Sequence, residues 1–378
     1  MNLREQYRQV AGGRSGVKPP NMDNGPLLDA YERWQGEGLN PELDPRRYDE
    51  WCDAFGLDRY YFCVGVSAVK PPLFQEEILE ETETTVTRRM SDGSVNQDNK
   101  GSHKSIPHEI RPAVTSRDEW ERLKAWLDVT GSLPPPDDPV VAPILKQARV
   151  STSPVRLSLG SLLGMPRNWL GFQEFAMLSY DDPDWFDDMI ETQCLAAERQ
   201  IRYFGELGIP LDCLHFWEDI CFKNGPIISP DTFREFALPR YRRIADLAKS
   251  FGYTQISVDS DGDIHALLPL WLEGGVNMLW PLETQAGMDV NVLQNRYPGS
   301  TVWMGNIHKH RLTGGEKEIA AELLRVKPAM ERGGYIPTLD HCCPADVSFE
   351  NYLTYLRLRH EILGLGMGGT DRTRVCRK

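Results

Sequence analysis

The feature that most constrains this chain is a regular alternation of strand-like and helix-like segments that begins near residue 149. Short apolar and β-branched runs predict strands at residues 155–159, 211–217, 254–258, 276–280, 301–304 and 335–338. Helical patterns predict helices at residues 183–207, 230–251, 264–273, 289–296, 316–331 and 348–363. Such alternation predicts parallel strands that are joined by crossover helices.

The first 130 residues are less regular and supply the remaining elements. They predict helices at residues 26–39, 46–55 and 116–127, a strand at 59–66, and a β-hairpin at 80–96 around Ser91-Asp92-Gly93. The G-x-G-x-x-G loop that an open doubly wound sheet would carry after its first strand is absent. The fold class that we predict is therefore α/β, a (β/α)8 TIM barrel with an irregular N-terminal extension and a small β-hairpin insertion.

We expect one domain over residues 1–378. The N-terminal helices, first strand and hairpin would occupy residues 1–130, and the main βα repeats residues 149–363. The Gly- and Arg-rich residues 364–378 predict a flexible tail.

The charge balance excludes several classes of partner. The chain has 55 acidic and 42 basic residues and a formal net charge of −13, which argues against nucleic acid and anionic membrane surfaces. No run approaches the roughly 20 apolar residues of a membrane span, and the first residues lack the apolar core of a signal peptide. The eight cysteines form no CxxC pair, which favours reduced thiols. We expect a cytoplasmic protein that acts on a small molecule.

Polar side chains follow five consecutive predicted strands, at the point where each strand ends. In a barrel, catalytic groups lie where strands run into the following loops. A single aspartate at such a junction could simply cap the next helix, but five polar strand ends in succession favour an active site. The residues concerned, together with two that follow the strand at residues 155–159, are Asn168, Trp169, Trp217, Glu218, Asp219, Asp259, Asp261, Glu283, Asn306, Asp340 and His341.

Asp259 and Asp261 alternate along an extended chain, so both can point into the mouth of the barrel. With His341 they could hold zinc or another divalent metal ion. Alternatively, a crowded carboxyl with a raised pKa could act directly as a general acid. The predicted catalytic residues are His341, Asp259, Asp261 and Glu218. The predicted substrate-binding residues are Trp217, Asp219, Glu283, Asn306, Asn168, Trp169 and Tyr335, whose aromatic members could form a pocket wall or core layers.

Several longer stretches resemble the uroporphyrinogen decarboxylase superfamily, between about Leu39 and Leu363. They are WEDICFKNGPIISPDTFREFALPRYRRI (217–244), VDSDGDIHALLPLWLEGGVNMLWPLE (258–283), AGMDV (286–290), GNIHKH (305–310) and GGYIPTLDHCCPADVSFENYL (333–353). The resemblance implies a (β/α)8 barrel, a homodimer and one of two chemistries. One branch decarboxylates uroporphyrinogen without a cofactor. The other moves methyl groups between small donors, corrinoid proteins and thiols, usually with zinc.

The chain departs from both branches at their characteristic residues. The decarboxylases carry an RQAGRY-type motif whose arginines bind substrate carboxylates, whereas residues 10–23 read VAGGRSGVKPPNMD, with only Arg14 and Lys18. The His-x-Cys ligand pair of the methyltransferases is replaced by Asp259-x-Asp261. His341 falls where the decarboxylases carry a histidine and the methyltransferases a cysteine ligand. The WED, DSDG and DH motifs resemble the methyltransferase-like branch most.

We therefore predict a methyltransferase-like enzyme that moves a methyl group from a small methylated or methoxylated substrate, as in O-demethylation. Its acceptor would be a corrinoid (cobalamin), either free or on a corrinoid protein. Zinc or another divalent metal at Asp259, Asp261 and His341 is a further expectation. The alternatives are a decarboxylase (lyase) of uroporphyrinogen or another carboxylated compound, and a non-catalytic tetrapyrrole- or corrinoid-binding protein.

Overall fold

The computed structural model of the chain describes residues 1–67, 70–100, 107–299, 301–366 and 372–377. Its strands are β1 (Phe62–Val64), β2 (Glu77–Glu81), β3 (Thr85–Arg89), β4 (Val95–Asn99), β5 (His108–Arg111), β6 (Val155–Ser158), β7 (Cys213–Trp217), β8 (Cys221–Phe222), β9 (Gly225–Pro226), β10 (Ile256–Asp259), β11 (Met278–Trp280), β12 (Val302–Ile307) and β13 (Tyr335–Leu339).

Helices surround these strands. They are α1 (Leu3–Ala11), α2 (Leu28–Gly36), α3 (Tyr48–Phe55), α4 (Arg117–Leu127), α5 (Val141–Val150), α6 (Gly164–Leu170), α7 (Phe172–Asp181), α8 (Pro183–Glu206), α9 (Pro230–Thr232), α10 (Leu238–Ser250), α11 (Leu268–Glu273), α12 (Val290–Arg296), α13 (Glu316–Arg332), α14 (Phe349–Leu363) and α15 (Arg372–Val375). Among the described residues, no helix is both long and apolar enough to cross a membrane.

The main sheet has seven parallel strands in the order β1-β6-β7-β10-β11-β12-β13. It curls into an incomplete barrel with helices around it, which confirms the predicted α/β barrel class. Each of the seven parallel strands predicted from the sequence is present. Because every neighbouring pair of these strands is parallel, the carboxyl ends of all seven strands lie on one face, where barrel enzymes place their active sites.

An irregular N-terminal segment, rather than an eighth strand, bridges β13 and β1. Cys343, just beyond β13, donates its N–H to Gly25 O (2.8 Å), and Asp58, just before β1, donates its N–H to Asn21 O (3.0 Å). A fully buried ion pair between Arg359 and Asp23 (3.2 Å) holds the segment in place. Three prolines and one glycine in PPNMDNGP prevent a regular strand ladder here.

The predicted hairpin belongs to a larger insertion. Strands β3 and β4 form the hairpin around residues 91–93, and β2 and β5 extend it to a four-stranded antiparallel sheet. Helix α1 was not predicted. It begins at a capping box formed by Asn2 and Glu5, and its Arg4 donates to Asp212 (2.7 Å) just before β7.

Two predicted segments differ in the structure. The helix predicted over residues 230–251 begins at its N-cap Ser229 but passes through a π-helical turn, Phe233–Ala237, before α10. Pro239 has no N–H to donate to the preceding turn, so the backbone widens there. A flexible tail was predicted for residues 364–378, but within it residues 372–375 form α15, Val375 is fully buried, and Asn40 donates its N–H to Val375 O (2.8 Å). Residues 367–371 lie outside the described residues.

Candidate active site

A cavity of about 390 Å³ opens at the carboxyl ends of the strands. Four residues predicted for the site from the sequence line it, namely Trp217, Asp259, Asp261 and His341. The other lining residues are Asn24, Tyr48, Tyr60, Arg156, Trp280, Pro281 and Cys342. The cavity therefore has aromatic walls and carries both acidic and basic groups.

The sheet register brings Asp259 between two tryptophans. Asp259, the last residue of β10, pairs with Trp217 of β7 on one side and with Trp280 of β11 on the other. Residues in one register row of a parallel sheet point to the same face. The carboxyl group of Asp259 is thus flanked by two indole rings, all facing the cavity.

Asp259 lies in surroundings that disfavour its charged form. Burial raises the pKa of Asp259 well above its ordinary value, and the nearby carboxyl groups of Asp261 and Asp219 raise it further. Within the part of the chain that the structure describes, no hydrogen bond or ion pair engages its side chain. Such surroundings favour the protonated form of the carboxyl group, which can donate its proton.

Asp261 extends the acidic pair toward the mouth. Burial, followed by the charges of Glu283 and Asp219, raises the pKa of Asp261 to about 7, against an opposing effect of Lys309. Its Oδ2 lies 3.8 Å from His341 Nε2. Such a pKa is close to the ideal for a general acid or base at neutral pH.

The loop after Asp261 fixes its position through Gly262. Gly262 adopts a φ of +83°, and its N–H donates to Glu283 Oε2 at 2.9 Å. A Cβ at this position would lie 2.6 Å from Phe222 O. Only glycine combines this conformation with so close a backbone approach.

His341 is a neutral partner for Asp261. Burial lowers the pKa of His341, and the positive charge of Lys309 lowers it further. A neutral imidazole can accept a proton as well as donate one. Asp261 and His341 together form a couple that can move a proton at the cavity surface.

Two further predicted residues, Asp219 and Glu283, flank the acidic pair without lining the cavity. Asp219 Oδ1 accepts the N–H of Asp261 (3.3 Å), and its Oδ2 lies 3.6 Å from Arg167 Nη1. Glu283 accepts from Lys309 Nζ at 3.1 Å. Each of the two therefore has a cationic partner, and both hold the loop that carries Asp261.

Glu218, which was predicted to be catalytic, does not line the cavity. It is fully buried and points away from the cavity, toward the start of α6. Its carboxylate accepts hydrogen bonds from Ser161 Oγ (2.8 Å), from the N–H groups of residues 162, 163 and 164 (2.9, 2.8 and 3.1 Å), and from Tyr241 Oη (2.5 Å). A carboxylate at a helix N-terminus with its acceptor positions so occupied is a structural anchor.

Four further predicted substrate-binding residues also do not line the cavity. Asn306 is fully buried and joins two loops, accepting from Val290 N (3.1 Å) and donating to Met288 O (2.8 Å). Tyr335 is buried and donates to Gly305 O at 2.6 Å. Trp169 packs on a core tryptophan, Trp120, with 5.9 Å between ring centroids. Asn168 is exposed and accepts from its neighbour Arg167.

Sequence reasoning missed Arg156, Tyr60, Tyr48 and Asn24 as lining residues. Arg156 was open to prediction, since it interrupts the apolar strand Val155–Ser158 with a charge that must face the barrel interior. Tyr48, Tyr60 and Asn24 come from the irregular N-terminal region. No periodic pattern there indicates which side chains reach the barrel.

The metal expectation requires three ligands that converge. Among the residues that the structure describes, no group of three histidine, cysteine, aspartate or glutamate side chains is arranged to hold a metal ion. The site as arranged does not fit a zinc centre, and its chemistry follows from the side chains themselves.

A solved structure described as a methyltransferase from Methanosarcina mazei is similar at 15% identity with a TM-score of 0.58, over 96% of this chain and 99% of that one. A B12-independent methionine synthase from Shewanella sp. W3-18-1 is similar over 58% of this chain and 68% of that one, at 12% identity and a TM-score of 0.32, too weak to support an argument. No curated protein matches.

The first of these similarities supports the fold alone. The family assignment comes from a sequence model described as uroporphyrinogen decarboxylase (URO-D), which matches residues 153–362 and so covers most of the βα repeats. This match confirms the resemblance inferred from the WED, DSDG and DH stretches. The chain belongs to the uroporphyrinogen decarboxylase family.

Proposed function

We propose that the protein is a methyltransferase-like enzyme that removes a methyl group from a small methylated or methoxylated substrate. The observation that carries this proposal is the acidic pair Asp259 and Asp261, whose raised pKa values let them hold protons in an aromatic-walled cavity. Membership of the family and the likeness in fold to a methyltransferase support it further.

The size and charge of the cavity favour a small substrate over uroporphyrinogen. A volume of about 390 Å³ lies near the lower end of the range of about 300–1,000 Å³ for small-molecule sites. Arg156 is the one arginine or lysine among the lining residues identified in the described part of the chain, and two aspartates share the cavity with it. A substrate with many carboxylates would be repelled there.

The acidic pair can assist cleavage of a methyl ether. The bond between the methyl carbon and the substrate oxygen breaks, the methyl carbon bonds to a nucleophilic acceptor, and the oxygen leaves with the electron pair. A proton from Asp261 neutralises that oxygen, so the products are an alcohol or phenol and the methylated acceptor. With a pKa of about 7, Asp261 is protonated in about half of the molecules at neutral pH. His341 then stands beside it to exchange the next proton.

We infer that the methyl acceptor is a corrinoid, free or carried by a corrinoid protein. A reduced corrinoid would supply the nucleophile that takes the methyl group. The cavity is too small to enclose a corrin ring beside a substrate, so the acceptor would approach at the mouth, where Trp217 is 37% exposed. The homodimer and the cytoplasmic location inferred from the sequence stay predictions.

Methyl transfer to cob(I)alamin tests the proposal, because methylation changes the visible absorbance of the corrinoid. We expect turnover with at least one donor from a panel of methoxylated and N-methylated small molecules. Asp261→Asn should slow it by about 10²–10⁴-fold, the usual contribution of a general acid. The control Asp246→Asn, the same exchange on the exposed side of α10, should leave the rate unchanged.

Two other outcomes would favour the alternatives. Formation of coproporphyrinogen from uroporphyrinogen, without methyl transfer, would identify a decarboxylase. Binding of a corrinoid or tetrapyrrole without turnover, and unaffected by Asp261→Asn or His341→Ala, would identify a binding protein. Either result would overturn the methyltransferase proposal.

A further inference from the structure

We propose that Arg156 binds a carboxylate group of the substrate, so that the substrate is a small monocarboxylate with its methylated atom at the opposite end. The part of this proposal that concerns the methylated end rests on the proposed function. The anion site itself rests on the surroundings of Arg156 alone.

Arg156 is a largely buried cation without an anionic partner. It lies in the middle of β6, lines the cavity, and forms no ion pair within the described ranges of the chain. Its Nε is buried and lacks a hydrogen-bond partner. Its guanidinium group lies over the Tyr61 ring, 4.7 Å from the centroid. A buried guanidinium without an anion is unfavourable, because burial removes its hydration.

The two most deeply buried arginines of the described residues each pair with a carboxylate. Arg4 pairs with Asp212 at 2.7 Å, and Arg359 pairs with Asp23 at 3.2 Å. Arg156 differs from both, since its open side faces the cavity rather than a carboxylate of the protein. That difference indicates that an anion from outside completes the site.

The acidic residues of the cavity do not serve as the counterion of Arg156. Asp259 is within electrostatic reach of Arg156, yet its pKa stays well above the ordinary value and no ion pair joins the two side chains. Burial, followed by the charge of Arg156, lowers the pKa of His215, so this neighbour is neutral. No carboxylate of the described residues therefore forms an ion pair with the Arg156 guanidinium.

The strand register separates the two ends of the cavity. Arg156 pairs with Cys213 of β7, whereas Asp259 pairs with Trp217, four residues further toward the carboxyl end of the same strand. Four residues correspond to roughly 13 Å along a strand. Because barrel strands are tilted and staggered, the difference in depth is smaller than this run along the strand, and Arg156 lies deeper in the cavity than the acidic pair. A substrate with a carboxylate at one end and a methylated atom at the other matches this polarity.

A monocarboxylate fits better than a phosphate. A single guanidinium matches the planar two-oxygen face of a carboxylate. A phosphate group would bring more negative charge and a third oxygen to be bound, close to two aspartates and between apolar rings. The aromatic walls formed by Trp217, Trp280 and Tyr60 suit an apolar body between the two ends.

Binding of matched acids and amides tests the proposal without any methyl transfer. The probes are 4-methoxybenzoate against 4-methoxybenzamide and methoxyacetate against methoxyacetamide, titrated by calorimetry and by tryptophan fluorescence. We expect the wild type to bind at least one acid ten-fold or more tighter than its amide. Arg156→Gln should abolish this preference while amide binding stays the same, and Arg156→Lys should restore part of it.

The matched control is Arg296→Gln, which removes an exposed guanidinium that also lies over a tyrosine ring, at 5.4 Å from the Tyr297 centroid. This variant should keep the full preference. If no acid binds tighter than its amide in the wild type, or if the preference survives in Arg156→Gln, the proposal is overturned. A preference that depends on Arg156 in a protein without methyl transfer would support the anion site and refute only the proposed function.

Discussion

The variant Glu218→Gln tests whether the carboxylate of Glu218 has a structural or a catalytic role. Glu218 follows β7 immediately, between Trp217 of the cavity wall and Asp219 of the rim. Its carboxylate accepts from Ser161 Oγ, three backbone N–H groups and Tyr241 Oη. These donors come from the start of α6 and from α10, so the side chain ties two helices to the end of a barrel strand.

The expected loss of stability follows from these contacts. In the best orientation, the glutamine oxygen keeps the three bonds of Oε2, to Ser161 Oγ and to the N–H groups of Leu163 and Gly164. Its NH₂ group then faces the N–H of Leu162, and an unsatisfied buried donor costs about 1–3 kcal/mol. The three remaining bonds lose their charge assistance, at roughly 0.5–1 kcal/mol each. We expect the variant to be destabilised by about 3–5 kcal/mol.

Thermal unfolding followed by circular dichroism measures this loss. The unfolding entropy of a 378-residue chain is about 0.8 kcal/mol per kelvin, so Tm should fall by about 4–6 °C. The matched control is Asp259→Asn, the same chemical exchange one strand away. There a neutral amide replaces a carboxyl whose pKa burial has raised, so Tm at pH 8 should stay equal or rise. Wild-type Tm in Glu218→Gln together with a large loss of turnover would refute the structural role.

Two other perturbations have expected results. Because the pKa of Asp261 is raised to about 7, the rate of a reaction that uses it as general acid should be flat below pH 7 and fall about ten-fold per pH unit above it. If the rate of Asp261→Asn falls above pH 7 in the same way, Asp261 is not the general acid. The stabilising contribution of the protonated carboxyl is present below its unfolded pKa and is lost as the pH rises from about 4 through about 7. The full pKa shift of Asp261 corresponds to about 4 kcal/mol, but solvent screens this side chain because it is 36% exposed. In urea titrations between about pH 4 and pH 7, the free energy of unfolding of the wild type should therefore fall by only about 1–2 kcal/mol relative to that of Asp261→Asn. Asp23→Asn leaves Arg359 buried without its counterion and should lower the free energy of unfolding by about 3–5 kcal/mol. Asp23→Leu combined with Arg359→Met should recover much of that loss. Equal stability of Asp23→Asn and wild type would show that the ion pair does not hold the N-terminal segment.

The strands and the acidic pair were predictable from local patterns. Apolar β-branched runs bounded by turn residues indicate buried parallel strands wherever they occur. The barrel geometry then gathers their carboxyl ends on one face, so Asp259, Asp261 and His341 had to lie near one another. The structure does bring all three to one cavity.

The roles of neighbouring carboxylates were not predictable in the same way. Glu218 and Asp219 are adjacent in the chain, yet one is fully buried against α6 and the other lies at the rim with a φ of +47°. The difference depends on the donors that Ser161 and Gly164 present from the preceding βα loop. No local pattern reports contacts across more than 50 positions of the chain.

The sequence by itself determined the α/β barrel class, its family and the acidic strand ends, because periodicity and motif spacing are local properties of the chain. Only the tertiary structure decided which polar groups meet in the cavity and which hold the scaffold, because burial and partner geometry arise from packing between distant segments. Arg156 illustrates the division. The sequence places a charge within a strand, but only the curled sheet leaves that charge facing a cavity with no counterion from the described residues.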